Sequence, residues 1–198
     1  DGFAQKKYYL GYHADNRIRR ESSSGGVCKT LIIDSLKNGM VDGAYSLKCT
    51  DSFPFAQGEF YTREHIPSFG DMPNSVYHSV MACTEIDRIQ PCKRLMLVGT
   101  ACQLRALNSI IKDKCDEVVR VCIFCKQQKT LDSTRFLAKM MGTSVPPNLK
   151  FRPRYRGDGW PGIVRVDGAW MRHLWGFFWY GSRSGHHADG SLDYLLAQ

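Results

Sequence analysis

The chain has 198 residues, 43% of them hydrophobic and 23% charged, with 27 basic residues against 19 acidic ones and a formal charge of +8. That length suits one domain or two small lobes and excludes a large multidomain enzyme, while the composition excludes disordered and fibrous chains. The longest apolar runs, Leu95–Val98 and Leu174–Tyr180, fall short of the roughly 20 residues that cross a bilayer, so no membrane span is expected.

Lys7-Tyr8-Tyr9-Leu10-Gly11-Tyr12 reads as an opening strand and His13 to Arg20 as a polar loop. Ser22-Ser23-Ser24-Gly25-Gly26 then runs into Val27–Lys37, where Cys28, Leu31, Ile32, Ser35 and Leu36 recur at helical spacing and Asn38-Gly39 supplies a stop. Val41 to Leu47 alternates as a strand. Cys49 to Asn74, rich in Phe, Pro and Gly, is expected to be irregular and partly a covering loop. Ser75 to Ile89 reads as helical. Arg94–Val98, ending in Gly99-Thr100, has the profile of a strand buried on both faces. A helix over Ala101 to Lys112, a second buried strand over Val118 to Phe124 and a helix over Leu131 to Met141 complete a parallel unit.

Pro146-Pro147 marks a boundary, dividing an α/β core over 1–145 from a segment over 146–198 rich in Arg, Trp and Gly. In that segment Phe151–Arg156, Ile163–Val166 and Ala169–His173 read as a β-meander, with Asp167-Gly168 as a hairpin turn. The expected fold class is therefore mixed α/β: a parallel βαβ unit with a Gly-rich loop at a helix start, followed by a small antiparallel meander.

The basic residues are scattered and cluster only at Arg17–Arg20 and Arg152–Arg156. The charge of +8 permits an anionic partner such as a nucleotide, a phosphate-bearing cofactor or an acidic protein, while the scatter favours a solvated basic surface over nucleic-acid binding, and no nucleic acid is expected. Eight cysteines form an even set, at Cys28, Cys49, Cys83, Cys92, Cys102, Cys115, Cys122 and Cys125. Several lie in apolar segments and no secretory leader is visible, so the expectation is a reducing cytoplasm with some cysteines in the core and some as ligands, over four disulfides.

Ligands of open α/β sheets bind beyond the carboxyl ends of the strands, and three motifs fall at such places. Ser22 to Gly26 can set bare backbone N–H groups and hydroxyls against a phosphate at a helix start; the competing reading is a plain helix cap. Gly99-Thr100-Ala101-Cys102-Gln103 follows a buried strand and opens a helix, which favours the Cys102 thiolate as a metal ligand or redox group; a packed cysteine is equally open. Cys122-Ile123-Phe124-Cys125 has C-x-x-C spacing, but strand alternation sends the two side chains to opposite faces, leaving Cys125 to reach the site. No second C-x-x-C supports zinc, and no Gly-x-Ser-x-Gly elbow supports a serine hydrolase.

Taken in order, Ser22–Gly26, Gly99–Gln103, Ile123-Phe124-Cys125 and Tyr155-Arg156-Gly157-Asp158-Gly159-Trp160-Pro161-Gly162 resemble the beta-subunit family of deazaflavin-reducing hydrogenases and formate dehydrogenases. The resemblance runs from about Tyr8 to Val166, and Ser75-Val76-Tyr77 is similar to a Ser-Lys-Tyr element of that family. It implies a flavoprotein that binds FAD, with an iron-sulfur cluster in many members, and that passes electrons between one-electron centres and a two-electron acceptor such as a deazaflavin or a disulfide. The implied partners are other redox subunits or a ferredoxin-type carrier. On this resemblance Ser22, Ser23, Ser24, Gly25, Gly26, Ser75, Tyr77, Gly99, Thr100, Ala101, Gln103 and Arg156 contact the cofactor, and Cys102 and Cys125 are the reactive thiols and cluster-ligand candidates. The chain departs from the family at Val76, at Ala101 where proline is common, and at Lys126-Gln127, and it has no cysteine beyond Cys125. It begins Asp1-Gly2-Phe3-Ala4, so a truncated or incomplete member is expected. A degenerate, cofactor-free scaffold and a thiol-disulfide enzyme using Cys102 or Cys125 are the competing readings.

Overall fold

The structure, a computed structural model, describes residues 9–22, 25–52, 54–76, 78–111, 113–125, 130 and 132, together with the strands 164–166 and 169–171. Of the expected helix over 131–141 only Asp132 is described, and the 145/146 boundary lies outside these residues.

Four strands form one mixed sheet in the order β2-β1-β3-β4. They are β1 (Gly43–Cys49), β2 (Ala56–Thr62), β3 (Cys92–Thr100) and β4 (Cys115–Ile123). β1, β3 and β4 run parallel, while β2 pairs antiparallel with β1 from Gly43↔Thr62 to Cys49↔Ala56. Helix α1 spans Asn16–Glu21, α2 Val27–Lys37 and α3 Ala101–Ile111.

The sheet separates two cores. On one face Ile32, Ile33 and Leu36 of α2 pack with Val41, Ala44, Met96 and Val98. On the other, Leu104, Leu107 and Ile111 of α3 pack with Tyr45, Leu95 and Leu97. Consecutive β3 residues thus feed opposite cores, which is why Leu95–Val98 is a continuous apolar run buried throughout. The β3-α3-β4 unit is the expected parallel crossover, in register from Cys92↔Cys115 to Thr100↔Ile123.

Several expectations are corrected. Of the expected opening strand, Lys7 and Tyr8 lie outside the described residues and Tyr9–Tyr12 form no strand: they have no ladder partner, and Leu10 is 97% exposed. The polar stretch after them holds α1, because Asp15 caps it by accepting from the Arg17 N–H at 2.7 Å and Ser22 closes it through its N–H and hydroxyl on the Ile18 carbonyl. In α2 the buried stripe includes Ile33 in place of Leu31, which is 42% exposed. The stop at Asn38-Gly39 is as expected, with Gly39 at φ +64°.

The segment read as irregular contains β2. The segment read as a helix over 75–89 instead runs along the outer edge of β2 and has only a short 3-10 turn at Ile86–Arg88. Its backbone is committed elsewhere: the Met81 carbonyl accepts from Gly58 N–H at 2.9 Å, the Ala82 carbonyl accepts from the Tyr45 hydroxyl at 2.8 Å, and Gln57 bridges to Met81. Tertiary pairing overrides a weak helical period here. β4, read as buried, is half-exposed because it is the last strand of the described sheet; Val119 and Ile123 reach solvent.

Of the expected meander, β5 (Val164–Val166) and β6 (Ala169–Met171) form an antiparallel pair, with Val166 opposite Ala169. The residues read as the turn, Asp167-Gly168, and the expected strand over Phe151–Arg156 lie outside the described residues. Among the described residues no helix is long and apolar enough to cross a membrane.

Candidate functional site

The topology brings the sequence motifs to one edge of the sheet. α2 returns into β1 through a short turn, so its N-terminus stands at the carboxyl end of β1. Because β1, β3 and β4 are parallel, that end is shared by Gly99-Thr100, by the start of α3 and by Cys125 just past β4. Residues 69–78 cross the same edge. The Asp71 carbonyl accepts from the Cys49 N–H at 2.7 Å, Met72 and Phe69 offer carbonyls to Lys29 of α2, and buried His78 contacts the Pro54 carbonyl at 2.8 Å just before β2. Ser75, exposed, rides on this strap.

Gly25 and Gly26 have φ of +80° and +81°, where a side chain is strained by about 1–2 kcal/mol. Space is scarce as well: a Cβ on Gly26 would lie 3.0 Å from Ser22 Oγ and 3.4 Å from both Ile18 and Phe69, and one on Gly25 would lie 3.2 Å from Tyr12 Cβ. Gly26 is the N-cap of α2 and has no side chain to satisfy the first-turn N–H groups. Ser22 belongs to the motif in sequence but is buried, its hydroxyl donating to the Ile18 carbonyl at 2.7 Å. Ser23 and Ser24 lie outside the described residues, as do Tyr77 and Arg156.

The second loop is held from within. Gln103 turns its side-chain oxygen back onto the Thr100 N–H at 2.9 Å, covering Gly99, whose added Cβ would meet that oxygen at 3.1 Å. Ala101 opens α3 and is half-buried, while Cys102 is exposed with its sulfur 3.2 Å from the Thr100 hydroxyl. Cys122 stands opposite Gly99 in the ladder. Burial pushes its thiol up, and the proximity of Cys102 adds to the shift. Strand alternation, read as leaving only Cys125 at the site, gave no clue to this second thiol beside Cys102. Among the described residues no group of three or more His, Cys, Asp or Glu side chains could hold a metal ion.

Sequence reasoning also missed Lys29. Its ammonium sits at 5.4 Å from the Phe69 ring centroid, donates to the Phe69 carbonyl at 3.0 Å and to that of Met72, and ties the strap to α2. Burial brings it down from 10.5 to about 8. A lysine in a polar-looking first helical turn has no sequence signature of burial. Lys29→Met loses the hydrogen bonds to the Phe69 and Met72 carbonyls but also the cost of burying a charge, so at neutral pH it is expected to change stability by less than about 1 kcal/mol, as read by urea denaturation. Folding the wild type between about pH 8 and 10.5 releases a proton from this amine, since the unfolded chain binds more protons there. Wild-type stability therefore rises with pH across that window relative to the variant. A parallel pair of pH profiles would refute this assignment.

A cavity of about 250 Å³ lies on the outer flank of α2, lined by His13, Ile18, Thr30, Asp34, Lys37 and Phe69 among others. It follows the side of the helix and does not reach the Gly99 loop. Its His13 and Phe69 rings meet edge-on at 5.8 Å.

Residues 8–65 match the family described as "Coenzyme F420 hydrogenase/dehydrogenase, beta subunit N-term". The fold is similar to that of a chain in the F420-reducing [NiFe] hydrogenase complex from Methanosarcina barkeri, with a TM-score of 0.58 and 15% identity. The match covers 82% of this chain and 55% of that one, so this chain spans about half the length of its structural relative. At this identity the likeness is one of fold. No protein of curated function matches the sequence.

Proposed function

We propose, for a chain that belongs through residues 8–65 to the beta-subunit family of coenzyme F420 hydrogenases and dehydrogenases, that it is a flavin-dependent electron-transfer subunit of a cytoplasmic oxidoreductase complex. The observation that carries this reading is the meeting of the Gly25-Gly26 turn, the Gly99–Gln103 loop and the residue 69–78 strap at one carboxyl edge. FAD fits the donors on offer. The bare amides at the start of α2 suit its pyrophosphate, and Gly25 and Gly26 hold the left-handed turn that presents them.

On this proposal Gly25, Gly26, Gly99, Thr100 and Ala101 present backbone to the cofactor, while Ser22 and Gln103 hold the two loops in shape. Ser23, Ser24, Ser75, Tyr77 and Arg156 are further contacts. A bound flavin can accept one or two electrons and so joins one-electron centres to a two-electron acceptor, for which a deazaflavin or a disulfide is proposed. The chain's own contribution is orientation, a fixed positive potential at the α2 N-terminus and exclusion of water beneath the strap. Redox subunits or a ferredoxin-type carrier would supply or remove electrons. An iron-sulfur cluster normally needs four ligands; Cys102 and Cys125 offer two, with Cys122 beside the first.

Anaerobic purification of the chain, followed by absorption spectroscopy, acid release of any flavin, and iron and sulfide assay, tests the reading. Released FAD with stoichiometric iron and sulfide is the expected result for a relay. FAD without iron would remove the cluster and keep the flavin. A colourless, folded chain that takes up no added FAD would refute the proposal in favour of a scaffold subunit.

A further inference from the structure

At the opposite, amino edge of the sheet, β3 and β4 each begin with a cysteine. Cys92 and Cys115 are direct partners in the parallel register, and their sulfurs are 3.3 Å apart. Neighbouring strands lie about 4.8 Å apart. That spacing falls inside the Cα separation that a disulfide spans without backbone movement, roughly 4.4–6.8 Å. Both side chains are half-buried against the α3-side core, within reach of a small reagent but sheltered from large ones.

We propose that Cys92 and Cys115 are a reversible dithiol–disulfide pair that staples the first residues of β3 to those of β4 on exposure to a low-molecular-weight disulfide. The inference is independent of the flavin reading: β3 is nine residues long, so the pair lies about 25 Å from the Gly99 loop.

Burial and the Cys115 thiol, with Asp42 and Asp116 adding to them, push the Cys92 thiol up to about 12. The exchange can open at either thiol, here at Cys115. Its sulfur forms a bond to one sulfur of the small disulfide and breaks that S–S bond, releasing one thiolate that takes up a proton. Cys92 then gives up its proton and attacks Cys115 Sγ, expelling the second small thiol. Two protein thiols are oxidised by two electrons, and one small disulfide is reduced to two thiols. The closed ring spans residues 92 to 115 and contains α3.

The test equilibrates the full reduced chain with buffers of oxidised and reduced glutathione, then blocks remaining thiols by acid alkylation for intact-mass analysis and peptide mapping. Expected is a species lacking two hydrogens, with a Cys92–Cys115 cross-linked peptide that dithiothreitol reverses. It should form before any other pair. In either single variant, Cys92→Ser or Cys115→Ser, the bridge cannot close, and glutathione should remain on the cysteine that is left. Quantitative alkylation of both cysteines in the wild type, under buffers that oxidise Cys102 or Cys125, would overturn the proposal. So would a bridge from either cysteine to a different partner.

Discussion

Gly58→Ala is expected to cost roughly 3–4 kcal/mol, enough to lower the melting temperature by about 10 °C for a chain of this size. Gly58 lies in β2 under the fully buried Tyr45 ring. A Cβ there would overlap the Tyr45 hydroxyl and the Ala82 carbonyl and sit 2.9 Å from Tyr45 Cζ. Those atoms are themselves joined, the hydroxyl donating to the carbonyl at 2.8 Å. The new methyl must therefore part a buried hydrogen bond, worth about 1 kcal/mol, as well as overpack the site. Thermal or urea denaturation measures the loss. Gly70→Ala is the control, since its Cβ would meet only Ser68 Oγ at 3.8 Å. Adding Tyr45→Phe to Gly58→Ala should recover part of the loss by removing one of the two clashing oxygens. A Gly58→Ala chain as stable as the control would mean that the Met81-Ala82 segment beside β2 shifts freely.

The second large effect is expected at the α2 start. Gly26→Ala forces a side chain into φ +81° and against Ser22, Ile18 and Phe69. The strain costs about 1–2 kcal/mol of stability, which leaves the domain folded. On the proposed function the side chain forced against Ser22, Ile18 and Phe69 re-aims the first amides of α2, so FAD affinity should fall at least tenfold, equivalent to about 1.4 kcal/mol. Titration of FAD into both chains, followed by flavin fluorescence, reads this directly. A wild type that binds FAD and a Gly26→Ala chain that binds it equally well would remove the turn from the flavin site.

How much of this was legible in the sequence depends on where each element finds its partners. α2 and α3 carry their burial stripe and their start and stop residues within a dozen positions, and β3 declares itself by apolar residues on both faces; all three are readable. β2 is not, because its character comes from long-range pairing: Ala56, Gly58 and Tyr61 face buried surroundings while Gln57, Glu59 and Thr62 break any simple apolar alternation. Residues 75–89 carried a faint helical period, yet their carbonyls were already claimed by Gly58 and Tyr45. α1 has one apolar residue, Ile18, in its interior and depends on Asp15 and Ser22 at its ends. For the site, glycines before helices were enough to find both loops. The burial of Lys29 and the approach of Cys122 to Cys102 needed the fold.

The pairing of β1 with β3 joins residues far apart in the chain, Gly43 with Leu95 and Tyr45 with Leu97. Each side of that seam is built from nearby sequence: α1, α2, β1 and β2 on one, β3, α3 and β4 on the other. Local units close quickly, and distant strands join late, after the entropy of the intervening loop has been spent. The Gly26 turn belongs to the first unit and the Gly99 loop to the second. The edge that carries both loops is thus expected to be the last part of the sheet to form. A cofactor that touches both loops would recognise only the finished sheet and hold its seam shut. The loaded chain should then unfold more slowly as well as less readily than the empty one.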